Sequence, residues 1–576
     1  MRILSLLAFF ALGCGPTREG GSPTSVAVFE SDATVPLGHP LAGKPPASVI
    51  EEPLLMKGIV LSQGDDRYVV AAIDWCTMSS ATYAHFRRAL SDAAGTRPDR
   101  VTVHCTHTHS GPVAGTTQGD LVREVARRAS RALREALPRA RRVTHVGVGS
   151  AEVEEFASNR RVPGPEGRIV ARYSSTKDPE LQAAPIGLVD PRLRTVTLLD
   201  GGTPVVRLHY FASHPQSFYS DGRVHPDTSG WARSRLEKEE RIPHVYFTGA
   251  AGNITAGKFN DGSPEARARM IDHLADAMRR SIAGSTVSPL GSVGWKVTPV
   301  TLEKRAGGDD PAPIDLIRLT LGAAEILHLP GEPFVEYQLH AAQVRPDRLV
   351  AVAGYGDGGP GYICLDTSEG GYEPTASRVG PPTELRLKSE ISFLLQDRKL
   401  RVVVFGGHPD DPESAAGGLI ARLTRDGHEV ICAYGTCFRG DRTLGGEPEG
   451  VVRRREAAAA CRILGASAKF FDYAHEKLSA DPETAKVVSA WLAEVKPDIV
   501  ITHWPMDTHE NHHAVSSLVW QAYRHAGGWS LYYFEVMTGR QTLGFRPDLY
   551  FDLEGVREVK KAALDCHASQ NPGKIW

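Results

Sequence analysis

The stretch VVVFGGHPDDPESAAGGLI at 402–420 sets one histidine and two adjacent aspartates between an apolar run and a run of small residues. The apolar run reads as a strand and the small residues as the start of a helix, so the polar group falls on the rim of a sheet, where side chains are held rigidly. His408 and Asp411 lie three positions apart. That spacing lets an imidazole and a carboxylate converge on one ion and leaves Asp410 free to point at a water bound there. A catalytic zinc takes three nitrogen or oxygen ligands from the protein and keeps one position open. PMDTHENHHAV at 505–515, again between a strand and a helix, supplies the third ligand as His512 of the pair His509-x-x-His512.

A second histidine-rich stretch, VTVHCTHTHSGP, lies at 101–112. Strand alternation places His107 and His109 on one face and His104 on the other, provided the strand runs that far. Two same-face histidines suit a metal, with an exposed or hydrogen-bonded pair as the competing reading. Three further stretches favour the metal. HYFASHPQS puts His214 at another strand end, ILHLPGEPFVEY puts Glu332 at a strand-to-helix turn, and GYGDGGPGYI puts Tyr362 in a glycine-rich loop with Tyr355 close by.

The elements that must position these residues divide into two sets. From about 25 to 385, strands such as RYVVAAIDW and TPVVRLHYFASH alternate with helices such as ATYAHFRRALSDAAG and the strongly amphipathic LVREVARRASRALREAL. From 398 to 576 the pattern is β-α-β, with VVVFGG, EVICAYGT and DIVITHWP as strands, which predicts a Rossmann-like, largely parallel sheet covered by helices. The fold class is α/β with two domains and a boundary near 397. A length of 576 residues exceeds what one typical core accommodates.

Composition narrows the partners. Sixty-six basic against 68 acidic residues give a net charge of -2, and no long basic run occurs, so a nucleic-acid partner is not expected. The N-terminus, MRILSLLAFFALGC, has one arginine, a short apolar run and small residues before Cys14. The run is too short to span a bilayer and suits a signal peptide. It resembles the bacterial lipoprotein signal. Residues 1–14 are then the signal, Cys14 is acylated and anchors the chain to a membrane, and 15–24 form a tether. An ordinary cleaved signal is the alternative, and either one implies export to the cell envelope. The remaining seven cysteines show no paired spacing and read as buried apolar residues rather than ligands.

HPDDPE, DTHENHHAV, RRREAAAACRILG, LYYFEV and DLYFDLEGVREVKKAALDCHASQ together resemble the PIG-L/LmbE-type N-acetylglucosaminyl deacetylases. The resemblance implies zinc held by His408, Asp411 and His512. It makes Asp410 the general base and His509 the group that stabilises the oxyanion or protonates the leaving amine, with Arg453 a further candidate for substrate contact. Glu510-Asn511 departs from the usual Pro-Asp of the second motif.

HTHSGP, with the stretches around His214, Glu332 and Tyr362, resembles the neutral ceramidase family over roughly 25–385. That resemblance implies zinc held by His107, His214, Glu332 and Tyr362, with His109 as acid/base. The family's active-site serine segment corresponds to AGNITAG, where Asn253 replaces an aspartate and Thr255 offers the hydroxyl. The combined expectation is an exported, membrane-tethered hydrolase with one Zn2+ per domain, other divalent ions being possible. It would act on an N-acylated sugar or lipid: a de-N-acetylase at the C-terminus and a ceramidase-like amidase at the N-terminus. The alternatives are an envelope lipoprotein that binds glycan or lipid through non-catalytic sites, and an esterase removing O-acetyl groups.

Overall fold

The computed structural model describes residues 23–43, 45–115, 119–218, 220–306, 313–396, 399–536, 540–547, 551, 553 and 555–575. The signal segment and Cys14 lie outside the described residues. The chain divides into two compact units, Met1–Asp397 and Arg398–Trp576. Among the described residues no helix is long and apolar enough to cross a membrane.

The first unit is layered. Strands β1 (Thr24–Asp32), β2 (Leu55–Gln63), β3 (Asp66–Ile73), β4 (Val101–Cys105) and β5 (Arg141–Val143) form a sheet in the order β4-β3-β2-β1-β5, in which only β3 and β4 run parallel. A second sheet, ordered β9-β8-β7-β6-β10, joins β6 (His145–Glu152), β7 (Arg192–Asp200), β8 (Thr203–Phe211), β9 (His244–Thr248) and β10 (Thr286–Pro289). A third joins β11 (Val293–Val300), β12 (Ile314–Leu321), β13 (Ala324–His328) and β14 (Leu349–Ala353) in sequence order.

The two-residue period of β3 explains the layering. Val69, Ala71 and Ile73 pack with Phe86 and Leu90 of helix α1 (Ser80–Ala94) and Val125, Ala129 and Leu133 of α2 (Gly119–Ala136). Val70 and Ala72 face Val206 and Leu208 of β8 and Val245 of β9. A strand with apolar residues on both faces needs cover on both, and the helices and the second sheet provide it. Helix α1 starts where the Ser79 side chain accepts the Thr82 N–H and stops at Gly95, whose φ of 64° is the left-handed cap.

One buried ion pair ties this sheet to α3 (Asp227–Glu240). Asp74, just past β3, accepts the Leu55 N–H, and Arg233 of α3 reaches both its oxygens, at 3.2 and 2.9 Å. Both side chains are almost wholly buried. Removing one partner strands a buried charge, so the pair is far costlier to break singly than to replace jointly.

The second unit is a single sheet ordered β17-β16-β15-β18-β19, from β15 (Arg401–Gly406), β16 (Glu429–Phe438), β17 (Ser467–Ala474), β18 (Ile499–His503) and β19 (Ser530–Phe534). Every neighbouring pair is parallel. The chain leaves β15 towards β16 on one side and returns to β18 on the other, so the strand order reverses between β15 and β18. In open parallel sheets that switch point opens a crevice at the carboxyl ends of the strands. HPDD follows β15, and the DTHENHH segment follows β18.

Arg233→Met is expected to destabilise the first unit by about 3–5 kcal/mol in urea unfolding, and Arg233→Met/Asp74→Leu to recover much of the loss.

Candidate metal centres

The second unit's site sits at the switch point. Gly406 ends β15 and Gly407 follows it; a Cβ on Gly407 would lie 2.9 Å from the His512 ring, so the bare backbone there lets the two motifs approach. Asp410 caps helix α4 (Asp411–Arg425) with a φ of 110°. That strained backbone turns Asp411 inward, where its Oδ2 accepts the His408 N–H at 2.7 Å. His512 lies in the first turn of α5 (Glu510–Ala526), where His509 is the N-cap.

His408 Nδ1, Asp411 Oδ2 and His512 Nε2 form a triangle with sides of 3.4, 3.3 and 3.2 Å. Ligands about 2.0–2.1 Å from a tetrahedral zinc stand about 3.3 Å apart. The donor set therefore fits a zinc-like ion. The far side of His512 is fixed as well, because its Nδ1–H donates to Asp507 Oδ2 at 3.0 Å, which directs the Nε2 lone pair at the triangle. Burial works to lower the His512 pKa, but Asp411 and Asp507 outweigh it and carry it up to about 10. An imidazole so placed attracts positive charge, whether a proton or a metal.

Asp410 is pushed above the usual carboxylate range by burial and by Asp411, with Arg453 acting the other way. Arg453 donates to the Pro409 carbonyl at 2.8 Å and stands 3.6 Å from Asp410. His509 lines the same cavity, its ring 4.5 Å from that of His512. All of His408, Asp410, Asp411, His509 and His512 thus gather at one place.

Several neighbours escaped the reading of the sequence. His503, the last residue of β18, has Nε2 3.1 Å from Asp411 and takes the Gly407 N–H. Asp507 stood inside the quoted DTHENHHAV stretch, so its signal was present. Asn511, buried, presents its amide to His408 Nε2 at 3.2 Å and His475 Nδ1 at 2.7 Å, and its Oδ1 has no partner. Turned end for end, the same amide offers that oxygen to both rings, which is what a His408 coordinating through Nδ1 requires.

In the first unit the strand stops at Cys105, before either candidate histidine. The Thr106 N–H makes the last rung of the ladder, to the Ile73 carbonyl, but that of His107 turns to the Trp75 carbonyl, and His107 takes a φ of 65°. Alternation therefore does not place His107 and His109; the loop does, with their Nε2 atoms 3.4 Å apart. His107 Nε2 lies 3.4 Å and His214 Nε2 3.8 Å from Glu332 Oε2. Each imidazole is locked from behind, His107 Nδ1–H to the Cys76 carbonyl and His214 Nδ1–H to that of Ile254, both at 2.8 Å.

His214 Nε2 and Glu332 Oε2 are buried without a hydrogen-bond partner, as is the Tyr355 hydroxyl. Orphaned acceptors of this kind fit a cation among them. Burial pushes His107 down to about 3 and Glu332 up to about 7, disfavouring charge on either without a partner. Tyr362 pairs with Glu332 in a two-residue parallel ladder and the Arg160 guanidinium lies 4.9 Å over its ring, while the Tyr355 ring lies 4.2 Å from His107, so both tyrosines border the cluster. Arg160, held by buried Glu373 at 2.7 Å, had no motif to reveal it. The Thr255 hydroxyl donates to the Arg172 carbonyl at 2.8 Å.

The family profile described as PIG-L, GlcNAc-PI de-N-acetylase, matches residues 403–523, which carry every residue of the second site's triangle. The 4-oxalmesaconate hydratase of Pseudomonas putida is 31% identical over 197 residues, 30% of this chain and 74% of the relative. The chain belongs to the PIG-L family. The diacetylchitobiose deacetylase of Thermococcus kodakarensis is 27% identical over 192 residues, 31% of this chain and 72% of the relative. The neutral ceramidase structure from Pseudomonas aeruginosa covers 65% of this chain and 74% of its own, with a TM-score of 0.50 at 15% identity. That share exceeds the whole PIG-L unit, so the first unit has the ceramidase fold.

Asp507→Asn is expected to weaken zinc binding at the PIG-L site by about 10–100-fold in chelator competition, and Asn511→Asp, which sets a carboxylate behind His408, to strengthen it.

Proposed function

We propose that this chain is a metal-dependent hydrolase that removes N-acyl groups, its PIG-L unit being a de-N-acetylase of an N-acetylated amino sugar or its conjugate. The observation that carries the reading is the His408, Asp411 and His512 triangle, with sides of 3.2 to 3.4 Å and an acidic Asp410 at its edge. Zinc bound there would polarise the acyl carbonyl and acidify a water. The rest falls to the chain's own groups. Asp410, on the wall of the cavity beside the triangle, takes the proton of the attacking water. Arg453 holds the Pro409–Asp410 turn so that this carboxylate keeps its aim. His509, half-buried on the cavity wall, gives a proton to the departing amine.

The ceramidase-like unit is proposed to hold a second ion through His107, His214 and Glu332, with Tyr362 or Tyr355 completing the set and His109 as acid/base. An N-acyl lipid or another amide is its proposed substrate class. Both ions are proposed as zinc, since imidazole and carboxylate ligands suit it, although such sets also take other divalent metals. Export, and tethering to a membrane through acylated Cys14, belong to the same proposal and rest on the sequence of residues 1–14.

A second reading has an observation of its own, because the 31% identical relative is a hydratase. The same base and ion can deliver water to a carbon–carbon double bond. Parallel assays decide. The full chain is expected to release acetate from an N-acetylated amino sugar, more slowly from the matching O-acetyl sugar, and to leave an unsaturated oxo-acid untouched. Asp410→Asn is expected to lower kcat by about 10²–10⁴-fold with zinc retained. Hydration of the oxo-acid without acetate release would replace the deacetylase reading.

A further inference from the structure

Helix α2 carries its arginines on one stripe. Arg123, Arg127, Arg131 and Arg134 are spaced four, four and three apart and are all exposed, while Val122, Val125, Ala129 and Leu133 fill the core beneath them. The short turn Leu137–Arg139 then leads into the edge strand β5, where Arg141 and Arg142 are exposed as well. Residues 119–143 hold eight arginines against three carboxylates, in a chain whose net charge is -2.

The opposing charges gather at one end of the helix. Arg123 pairs with Asp120, Arg127 with Glu124, and Arg128 with Glu124 at 2.8 Å and Asp32 at 2.9 Å. Further along the balance changes. Arg131 has Glu135 at 3.9 Å, and among the described residues no carboxylate pairs with Arg134, Arg139 or Arg141. Two ordinary roles cover only part of this. The negative end of the α2 dipole suits Arg134 and Arg139, whose Nε–H donates to the Glu135 carbonyl at 3.0 Å, but Arg141 lies beyond it in a strand. Guarding the free edge of β5 against pairing suits Arg141 and leaves Arg131 unexplained.

The position of the cluster points to a partner. The Arg128–Asp32 pair sets the first half of α2 beside the end of β1, so the helix runs back along that strand towards its beginning. There Arg141, Arg142 and Val143 of β5 pair with Val26, Ser25 and Thr24 of β1. The chain therefore leaves the first unit, towards its N-terminus, beside the unopposed arginines. Cys14 is ten residues from Thr24, a reach of at most about 35 Å. Residues 15–23 hold one arginine and one glutamate, so they add no net charge of their own.

We propose that Arg131, Arg134, Arg139 and Arg141 form a face that docks on the anionic lipid headgroups of the membrane holding Cys14. A guanidinium fork matches a phosphate in shape as well as charge, and each such cation at an anionic bilayer raises partitioning by about fivefold. The proposal takes its membrane from the tethering reading and goes beyond it. The tether keeps the face near the surface, and the face decides which side of the unit lies against it.

The test is sedimentation of the protein lacking residues 1–14 with phosphatidylcholine vesicles, made with and without phosphatidylglycerol. At low salt the native protein is expected to bind the anionic vesicles at least tenfold more than the neutral ones, and to leave them as salt is raised. Arg131→Gln/Arg134→Gln/Arg141→Gln is expected to lose tenfold or more of that binding. Arg422→Gln/Arg425→Gln/Arg455→Gln removes the same charge from exposed positions of the second unit and is expected to stay within about twofold. Equal binding to both kinds of vesicle, a preference that survives the first triple variant, or an equal loss in the second overturns the proposal. Tighter binding to a single-stranded oligonucleotide than to the anionic vesicles, compared per phosphate, overturns it too, because the face would then serve a polyanion in solution. This protein lacks Cys14, so the outcome is independent of acylation. The tethering reading fails separately, if the full chain made in a bacterial host takes up no labelled fatty acid at Cys14.

Discussion

Both centres depend on one constraint, an imidazole held by its far nitrogen. His107 and His214 give their Nδ1–H to backbone carbonyls, and His512 gives its own to Asp507. A ring tied in this way cannot rotate or exchange tautomers, so its remaining lone pair points where the fold has aimed it. The converging lone pairs and carboxylate oxygens repel one another unless positive charge lies among them. In the PIG-L unit that tension appears as a His512 carried up to about 10, and in the ceramidase-like unit as the orphaned His214 and Glu332 atoms. Close packing holds the groups together, and their chemistry calls for an ion.

The two units reach this arrangement from unlike sheets. The PIG-L unit uses an all-parallel sheet whose strand order reverses between β15 and β18, and its ligands come from the two loops that face each other there. The ceramidase-like unit uses mixed sheets. Its ligands follow β4, β8 and β13, and no single switch point gathers them. Local backbone strain does part of the gathering in both, with a positive φ at Asp410 and at His107. Each strained residue stands where the chain must turn a side chain out of a strand and into the site.

The sequence revealed the second fold and its triangle better than the first. HPDD and HxxH are short, local patterns at the ends of clear apolar runs, so both spacing and element type were legible. The first site was assembled from four distant stretches, and strand alternation misplaced the reason His107 and His109 meet. That failure is physical, since alternation ends where His107 takes a positive φ and its N–H turns to Trp75. Asp507 was visible in its motif but had no role until the structure put it behind His512. His503 and Arg160 act through contacts that span about a hundred and two hundred residues, respectively, for which one sequence carries no signal. Tyr355 and Tyr362 remain paired at the same cluster, as the glycine-rich loop between them allows.

The central claim, that each unit builds its own metal centre at the ends of its strands, is tested most directly by elemental analysis. The protein is purified without residues 1–14, together with its His408→Ala and His107→Ala variants, each confirmed to be folded. The account predicts about two zinc ions per native chain and about one in each variant, since a missing ligand empties only its own site. No bound metal in any sample, even after zinc is added back and excess removed, would contradict it. An unchanged content in His107→Ala would contradict it for the ceramidase-like unit alone.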